Sequence, residues 1–283
     1  MAIQSKTKNN FTTASIIIFF SVVSLIALMP FVFLTLSSFK PGVEMIRNGL
    51  SLQLDFENFS LTNYGYLLTD RDGVYMHWYK NSIIITALQT GGGLLLSSMV
   101  GYALALYRFK GRNLTFLLVL VVMMVPIEIL LLPLYKLSIT LKIINTYRGA
   151  FLPFLVSMTG IFFFRQYAIG LPKELMEAGR IDGCTEFGIF FKIMMPLMKP
   201  AYGAMTILLA MASWNSFVWP LIVMRDTAMQ TLPVGLQTML TPYGNNYNML
   251  MSGAVVAVLP IMLVFLFNQK SFIAGMTAGS VKG

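Results

Sequence analysis

Residues 170–200 read GLPKELMEAGRIDGCTEFGIFFKIMMPLMKP. The stretch carries Lys173, Glu174, Glu177, Arg180, Asp182, Glu186, Lys192 and Lys199, too many charges to cross a hydrocarbon core, yet its signals are those of ordered helices. Pro172 suits a first helical position, Glu174 and Glu177 sit near the positive end of the helix dipole, Arg180 falls in the last turn, and Gly183 can take the left-handed stop. A helix of about three turns is expected over 172–183. Ala178 and Gly179, with Gly183 four residues on, leave a nearly bare patch where another protein surface can come within backbone distance. Thr185 then opens a second helix that Pro196 closes. On helix signals alone, an amphipathic segment lying at a membrane interface is the other reading.

On both sides of this polar stretch the sequence turns apolar. Of 283 residues, 57% are hydrophobic and 11% charged, against about 45–50% and about 25% in a soluble globular domain. With a mean hydropathy of +0.73, no soluble core absorbs this much apolar surface. Stretches long enough to cross a bilayer run over about 15–38, 82–107, 114–135, 147–169, 199–224 and 249–268. The expected architecture is therefore all-α: one polytopic membrane domain over 1–283 with six transmembrane helices, the polar segment 170–200 and a tail at 269–283. The first stretch is long for a secretory leader and lacks a small-residue cleavage site, so it reads as a retained helix.

With the N-terminus inside, the inner segments 1–14, 108–113, 165–200 and 269–283 hold 12 Lys and Arg, and the outer segments 39–81, 136–148 and 225–248 hold 8. The bias, with Arg108, Lys110 and Arg112 packed into one tight loop, places both termini in the cytoplasm. The net charge of +9 is spread along the chain, so it does not mark a nucleic-acid surface. The single cysteine, Cys184, excludes an intrachain disulfide and reads as a small residue beside a turn. His77 is the only histidine and reads as a surface residue, which argues against structural zinc. No phosphate-binding G-x-x-x-x-G-K-[ST] run occurs, so any ATP dependence belongs to a partner.

Pro30, Pro126, Pro133, Pro153, Pro220, Pro260 and the run Gly91-Gly92-Gly93 interrupt the spans. Breakers are tolerated where neighbouring helices or a water-filled path satisfy the freed carbonyls, so they fit either a pathway or close helix packing. Glu128 is the one acidic residue deep in a span; a central carboxylate costs about 2.5–3.5 kcal/mol on insertion scales. The fifteen Leu, Val, Ile and Phe residues between Leu114 and Tyr135 carry it. It either faces an aqueous cavity, accepting hydrogen bonds from hydroxylated cargo, or makes a helix-to-helix polar contact. Trp214, Asn215 and Trp219 combine flat apolar faces with donors and acceptors, as a hydroxylated ring requires, although Trp219 also suits an outer aromatic belt. The loop 225–248, with Pro242-Tyr243-Gly244-Asn245-Asn246-Tyr247, is polar and rich in turn residues.

The residue order Glu177-Ala178-Gly179, Asp182-Gly183, then Phe187, Ile193 and Pro196, resembles the E-A-A-x-x-D-G loop and I-x-L-P ending of permease subunits of binding-protein-dependent ABC importers. Gly179 stands where a second alanine is usual and Met195 where leucine is usual; neither adds bulk or charge. Trp78-Tyr79-Lys80-Asn81-Ser82, Trp214-Asn215-Ser216-Phe217-Val218-Trp219-Pro220-Leu221-Ile222 and the terminal Gly275-Met276-Thr277-Ala278-Gly279-Ser280-Val281-Lys282-Gly283 are similar to the carbohydrate subfamily typified by the smaller maltose permease subunit.

The resemblance implies the type I importer permease fold and a non-catalytic chain of the bacterial cytoplasmic membrane that translocates a sugar or oligosaccharide. It implies that Glu177, Ala178, Gly179, Asp182 and Gly183 form a coupling helix in a groove of an ATPase subunit, and that Thr277, Ala278 and Gly279 reach the ATPase. It further implies that Tyr243, Asn245, Asn246 and Tyr247 contact an external solute-binding protein. The partners are then a homologous second permease, an ATPase dimer holding ATP and magnesium, the solute-binding protein and membrane lipid, with no cofactor or metal on this chain. The competing class is a secondary transporter or channel working through Glu128; it should show inverted repeats or several intramembrane charges, and neither is seen. An intramembrane enzyme would need converging titratable groups, which one histidine, one cysteine and Glu128 do not supply.

Overall fold

The computed structural model describes the backbone of residues 2–43, 59–240 and 246–277; Tyr243, Asn245, Ala278 and Gly279 lie outside the described residues, as does the side chain of Thr277. Among the described residues every regular element is a helix. Three stretches, Thr13–Ser38, Thr62–Leu106 and Tyr247–Ile273, are long and apolar enough to cross a membrane, although Thr62–Leu106 is interrupted at Arg71 and Asp72, which take positive φ, before the Val74–Leu106 helix begins. Three more qualify as bent pairs: Arg112–Met123 with Ile127–Thr140 at 100°, Tyr147–Phe154 with Met158–Ile169 at 44°, and Glu186–Leu197 with Lys199–Trp214 at 80°. Six crossings result if each bent pair is one.

The chain divides into two compact units. The first comprises residues 1–73 and 238–257. Its long helix, Ala2–Ser38, exposes Ile16, Phe19, Leu25, Ile26 and Leu28, each by half or more, the surface expected where lipid is the solvent. Its polar end is tied down. Asn63 Nδ2 donates to the carbonyls of Ser38 and Lys40 at 2.8 Å each, and Ser252 Oγ donates to the Asn63 carbonyl at 3.1 Å. Asn246 caps the last helix, its side-chain oxygen accepting from Met249 N at 3.1 Å while its amide donates to Asp70 at 3.3 Å.

The second unit, residues 74–237 and 258–283, is built on the Val74–Leu106 helix. This helix crosses Met158–Ile169 at backbone distance. A Cβ on Gly101 would lie 2.8 Å from the Ile161 carbonyl and the Arg165 nitrogen, and one on Gly160 would lie 2.9 Å from Ser97. Small residues at the crossing let two helices meet without a hydrophobic driving force between them. Lys199–Trp214 packs alongside, and Tyr102, Phe164, Phe190, Met194, Met198 and Met205 close the core.

The expected stretch 114–135 is not one straight helix, because Pro126 lacks the N–H that would continue the first segment. Glu128 accordingly sits at the start of a new helix, not at the centre of a long one. Its carboxylate is exposed in the first turn of Ile127–Thr140, where the free backbone N–H groups favour negative charge. The glycine run divides its labour. Gly92 and Gly93 pack against Leu155, while nothing lies within 4 Å of where a Gly91 Cβ would be.

Candidate functional site

The polar segment folds as two short helices, Glu174–Ile181 and Glu186–Leu197, the second passing through a π-helical stretch at Phe190–Met194. The first begins two residues after Pro172 and is nearer two turns than three. Gly183 takes φ +77°, and the Cys184 N–H closes the helix end on the Gly179 carbonyl at 2.9 Å. Thr185 caps the second helix, its hydroxyl accepting from Gly188 N at 3.1 Å. Pro196 lies inside this helix, which turns only at Met198.

The bare patch is corrected by this geometry. Gly179 is buried, and a Cβ there would sit 2.8 Å from Ile193 and 3.1 Å from Ile189. Its missing side chain lets the two short helices of this chain meet; it does not receive a foreign surface. The outward face consists of Glu177, Ala178, Asp182, Gly183 and Ile181, the last 87% exposed, with Phe187 beside them 66% exposed. Two large apolar side chains left in solvent on a polar segment mark an unfinished surface.

Arg180 does not pair with Glu177. Its guanidinium grips Glu186 through two bonds, Nε to Oε1 at 2.7 Å and Nη2 to Oε2 at 3.2 Å. The Tyr107 hydroxyl donates to the same carboxylate, and Arg180 lies 5.8 Å from the centre of the Tyr107 ring. The bonds from Arg180 and Tyr107 hold the Glu186 carboxyl below the usual carboxylate range, and the same carboxylate raises Arg180. Burial, then the bond to Glu186, pushes the Tyr107 phenol up, so it keeps its proton. Tyr107 immediately follows the Val74–Leu106 helix, so this trio latches the two-helix segment to that helix's end.

At the other end of the same helix, the polar loop after residue 225 is captured and not simply solvated. Trp78 Nε1 donates to the Thr227 carbonyl at 2.7 Å, and Asn81 Nδ2 to those of Ala228 and Gln230 at 2.8 and 2.9 Å. Leu232 N donates to Ser82 Oγ at 2.8 Å, and Tyr147 OH to Asn81 Oδ1 at 2.7 Å. Gly235 lies on the buried Trp78 ring. Asn145, with φ +58°, accepts from the backbone of Arg225 and Asp226 at 3.1 Å each. Trp219 belongs to this platform: it is 3% exposed, its Nε1 bonds the Gly149 carbonyl at 3.0 Å, and its ring meets Phe154 edge-on.

Between these ends a cavity of about 270 Å³ opens beside Gly91, lined by Thr86, Thr90, Thr206, Trp214 and Pro260 among others. Of the four residues expected along a cargo path, Trp214 alone lines it. Asn215 instead ends the Lys199–Trp214 helix, while Trp219 and Glu128 lie elsewhere in the chain. The two threonines were not singled out by sequence; their i,i+4 spacing, with Gly91 next to Thr90, is the only signal they carry. Among the described residues no group of three or more His, Cys, Asp or Glu is placed to hold a metal.

Residues 93–276 match the family described as binding-protein-dependent transport system inner membrane component. The chain is 53% identical to the arabinooligosaccharides transport system permease protein AraQ of Bacillus subtilis (strain 168), over 94% of each chain. It is 32% identical to the lactose transport system permease protein LacG of Rhizobium radiobacter, over 94% of this chain and 96% of that one. Its fold matches a chain of a crystal structure described as a bacterial ABC transporter involved in the import of the acidic polysaccharide alginate. The TM-score is 0.76 at 22% identity, covering 89% of this chain and 93% of the other.

Proposed function

Because the chain belongs, through its residues 93–276, to the family of binding-protein-dependent transport system inner membrane components, we propose that it is the permease of an importer for arabinose-containing oligosaccharides, driven by ATP hydrolysis on separate subunits. Permease subunits of this family are non-catalytic and multi-pass in the cytoplasmic membrane. The identity of 53% to an arabinooligosaccharide permease, along almost the full length of both chains, supports that cargo over lactose, whose permease shares 32%. The secondary-transporter reading built on Glu128 gives way to the family.

Both termini lie in the cytoplasm in this account, the side on which the short 108–113 loop carries Arg108, Lys110 and Arg112. The ATPase docks on the Glu174–Ile181 helix, through Glu177, Ala178, Ile181, Asp182 and Gly183, with Gly179 holding that helix to its neighbour. The observation that carries this is the exposed pair Ile181 and Phe187 on a segment latched to Tyr107. A rigid, apolar-tipped lever transmits closure of an ATPase dimer without any reactive group of its own. Thr277, Ala278 and Gly279 reach the same partner. ATP and magnesium belong to the ATPase. A homologous permease completes the pathway, and Tyr243, Asn245, Asn246 and Tyr247 meet the solute-binding protein.

The test is uptake of radiolabelled arabinotriose into proteoliposomes holding the complex purified through this chain. Uptake that requires both internal ATP and the external binding protein supports the reading. Uptake that persists without ATP, driven by an ion gradient, overturns it.

A further inference from the structure

We propose that the loop 108–112 and the apolar helix face that continues from it form a site on this chain for an anionic phospholipid. Its phosphate sits on Arg108 and Arg112 and its acyl chain runs along Leu114, Leu117, Leu118 and Val121. An open groove of about 320 Å³ is lined by Arg108, Phe109, Gly111, Arg112, Asn113 and Leu114. Arg108 and Lys110 are exposed, and Arg112 is half-buried, its Nη1 donating to the Tyr107 carbonyl at 3.3 Å. A fourth cation stands behind them. Arg165, on the Met158–Ile169 helix, lies over the Phe116 ring at 3.7 Å from its centre, one turn beyond Arg112. Its Nε is buried without a hydrogen-bond partner, and its charge and that of Arg112 repel each other.

No acid answers this cluster. Among the described residues the one ion pair is Arg180 with Glu186, and no carboxylate lines the groove. No side chain caps the Arg112–Met123 helix, so its first N–H groups add to the positive field at the same place. A bias of charge that sets topology requires basic residues in the loop, but it does not require them to meet an apolar track. Here they do. Leu114, Leu117, Leu118 and Val121 follow one another at helical spacing on one face, exposed by 61%, 54%, 55% and 50%. A soluble anion uses only the basic head of this surface; a phospholipid uses both parts, its phosphate on the guanidinium groups and its chain on the leucines. A zwitterionic headgroup brings its own cation to a place that already holds four, so the site selects a net negative one.

The test places the complete importer in phosphatidylcholine vesicles doped with a phosphatidylglycerol or a phosphatidylcholine that carries a photoactivatable acyl chain, and maps the labelled peptides by mass spectrometry. Phosphatidylglycerol should label the peptide containing residues 114–121 at least about fivefold more than phosphatidylcholine does, the worth of one basic residue at the membrane surface. Arg108→Gln, whose side chain makes no bond within the chain, should lower labelling by phosphatidylglycerol about fivefold and leave labelling by phosphatidylcholine and retention of the second permease unchanged. Arg108→Lys should restore it. Equal labelling by the two lipids in the wild type overturns the site even if a variant fails to assemble. So does unchanged phosphatidylglycerol labelling in the Arg108→Gln, Arg112→Gln double variant. Competition by excess inorganic phosphate would make this a site for a free anion, and crosslinking of 114–121 to the second permease would make it a protein interface; either result overturns the lipid assignment.

Discussion

The two ends of the Val74–Leu106 helix carry opposite kinds of surface. At the Trp78 end, residues 225–237 are bound by Trp78, Asn81 and Ser82 through four hydrogen bonds of 2.7–2.9 Å, and the large side chains are buried. At the Tyr107 end, the segment 174–197 buries Met176, Ile189, Phe190 and Met194 in the core and is latched by one exposed carboxylate, yet leaves Ile181 and Phe187 in solvent. Both ends carry residue patterns that resemble one permease family, yet the patterns do different physical work. One completes the fold within this chain; the other presents a surface for a second chain. A sequence motif therefore does not by itself distinguish a structural clamp from a docking face, whereas the burial of its side chains does.

The largest break of this contrast is Trp78→Ala. Removing a fully buried indole together with its bond to Thr227 should cost about 3–5 kcal/mol, read as a lowered melting temperature of the purified chain in detergent. A wild-type melting temperature would mean that the 225–237 platform is not held from within. Next is Gly235→Ala, whose Cβ would fall 2.1 Å from the Trp78 ring; overpacking of this kind costs about 1–3 kcal/mol. Combined with Trp78→Ala its penalty should largely vanish, since the two residues share one contact, and simple addition of the two penalties would break that assignment. The smallest effect is expected for Arg180→Ala at the other end. The pair it breaks is exposed, so stability should barely move, and a large loss of stability would show that this end too is finished within the chain.

The latch also has a pH signature. Because Glu186 is held below the ordinary carboxylate range, its grip on Arg180 is present at neutral pH and is lost as the pH falls through its lowered value. Tyr107 does not titrate in that window, its phenol being shifted upward. Acidification of the complex should therefore mimic Glu186→Gln in ATPase stimulation, and identical pH profiles for wild type and Glu186→Gln would remove the latch from the mechanism.

The apolar spans, the two short helices and the left-handed stop at Gly183 were legible because they are local properties of composition and capping. The 100° break at Met124–Pro126 was not, although Pro126 was visible as a breaker. Apolarity runs straight through 114–135, and a proline marks a weak point without fixing an angle. The burial of Gly179 depends on Ile189 and Ile193 in the next helix, so helix periodicity alone turned it the wrong way. Trp219 looked like a path or belt residue for the same reason; its partner, the Gly149 carbonyl, is seventy residues away. The capture of the 225–237 loop joins residues about 150 apart, beyond any turn signal. Thr86 and Thr90 escaped because a buried hydroxyl without a hydrogen-bond partner is a property of the packed structure.

The most direct measurement of the central claim is affinity purification of this chain from native membranes in mild detergent, wild type beside Ile181→Asp. Ile181 is almost wholly exposed, so the charge should leave the fold and the second permease in place while the ATPase is lost from the variant. Recovery of the ATPase in equal amount from both would contradict the assignment of Glu174–Ile181 as the docking helix.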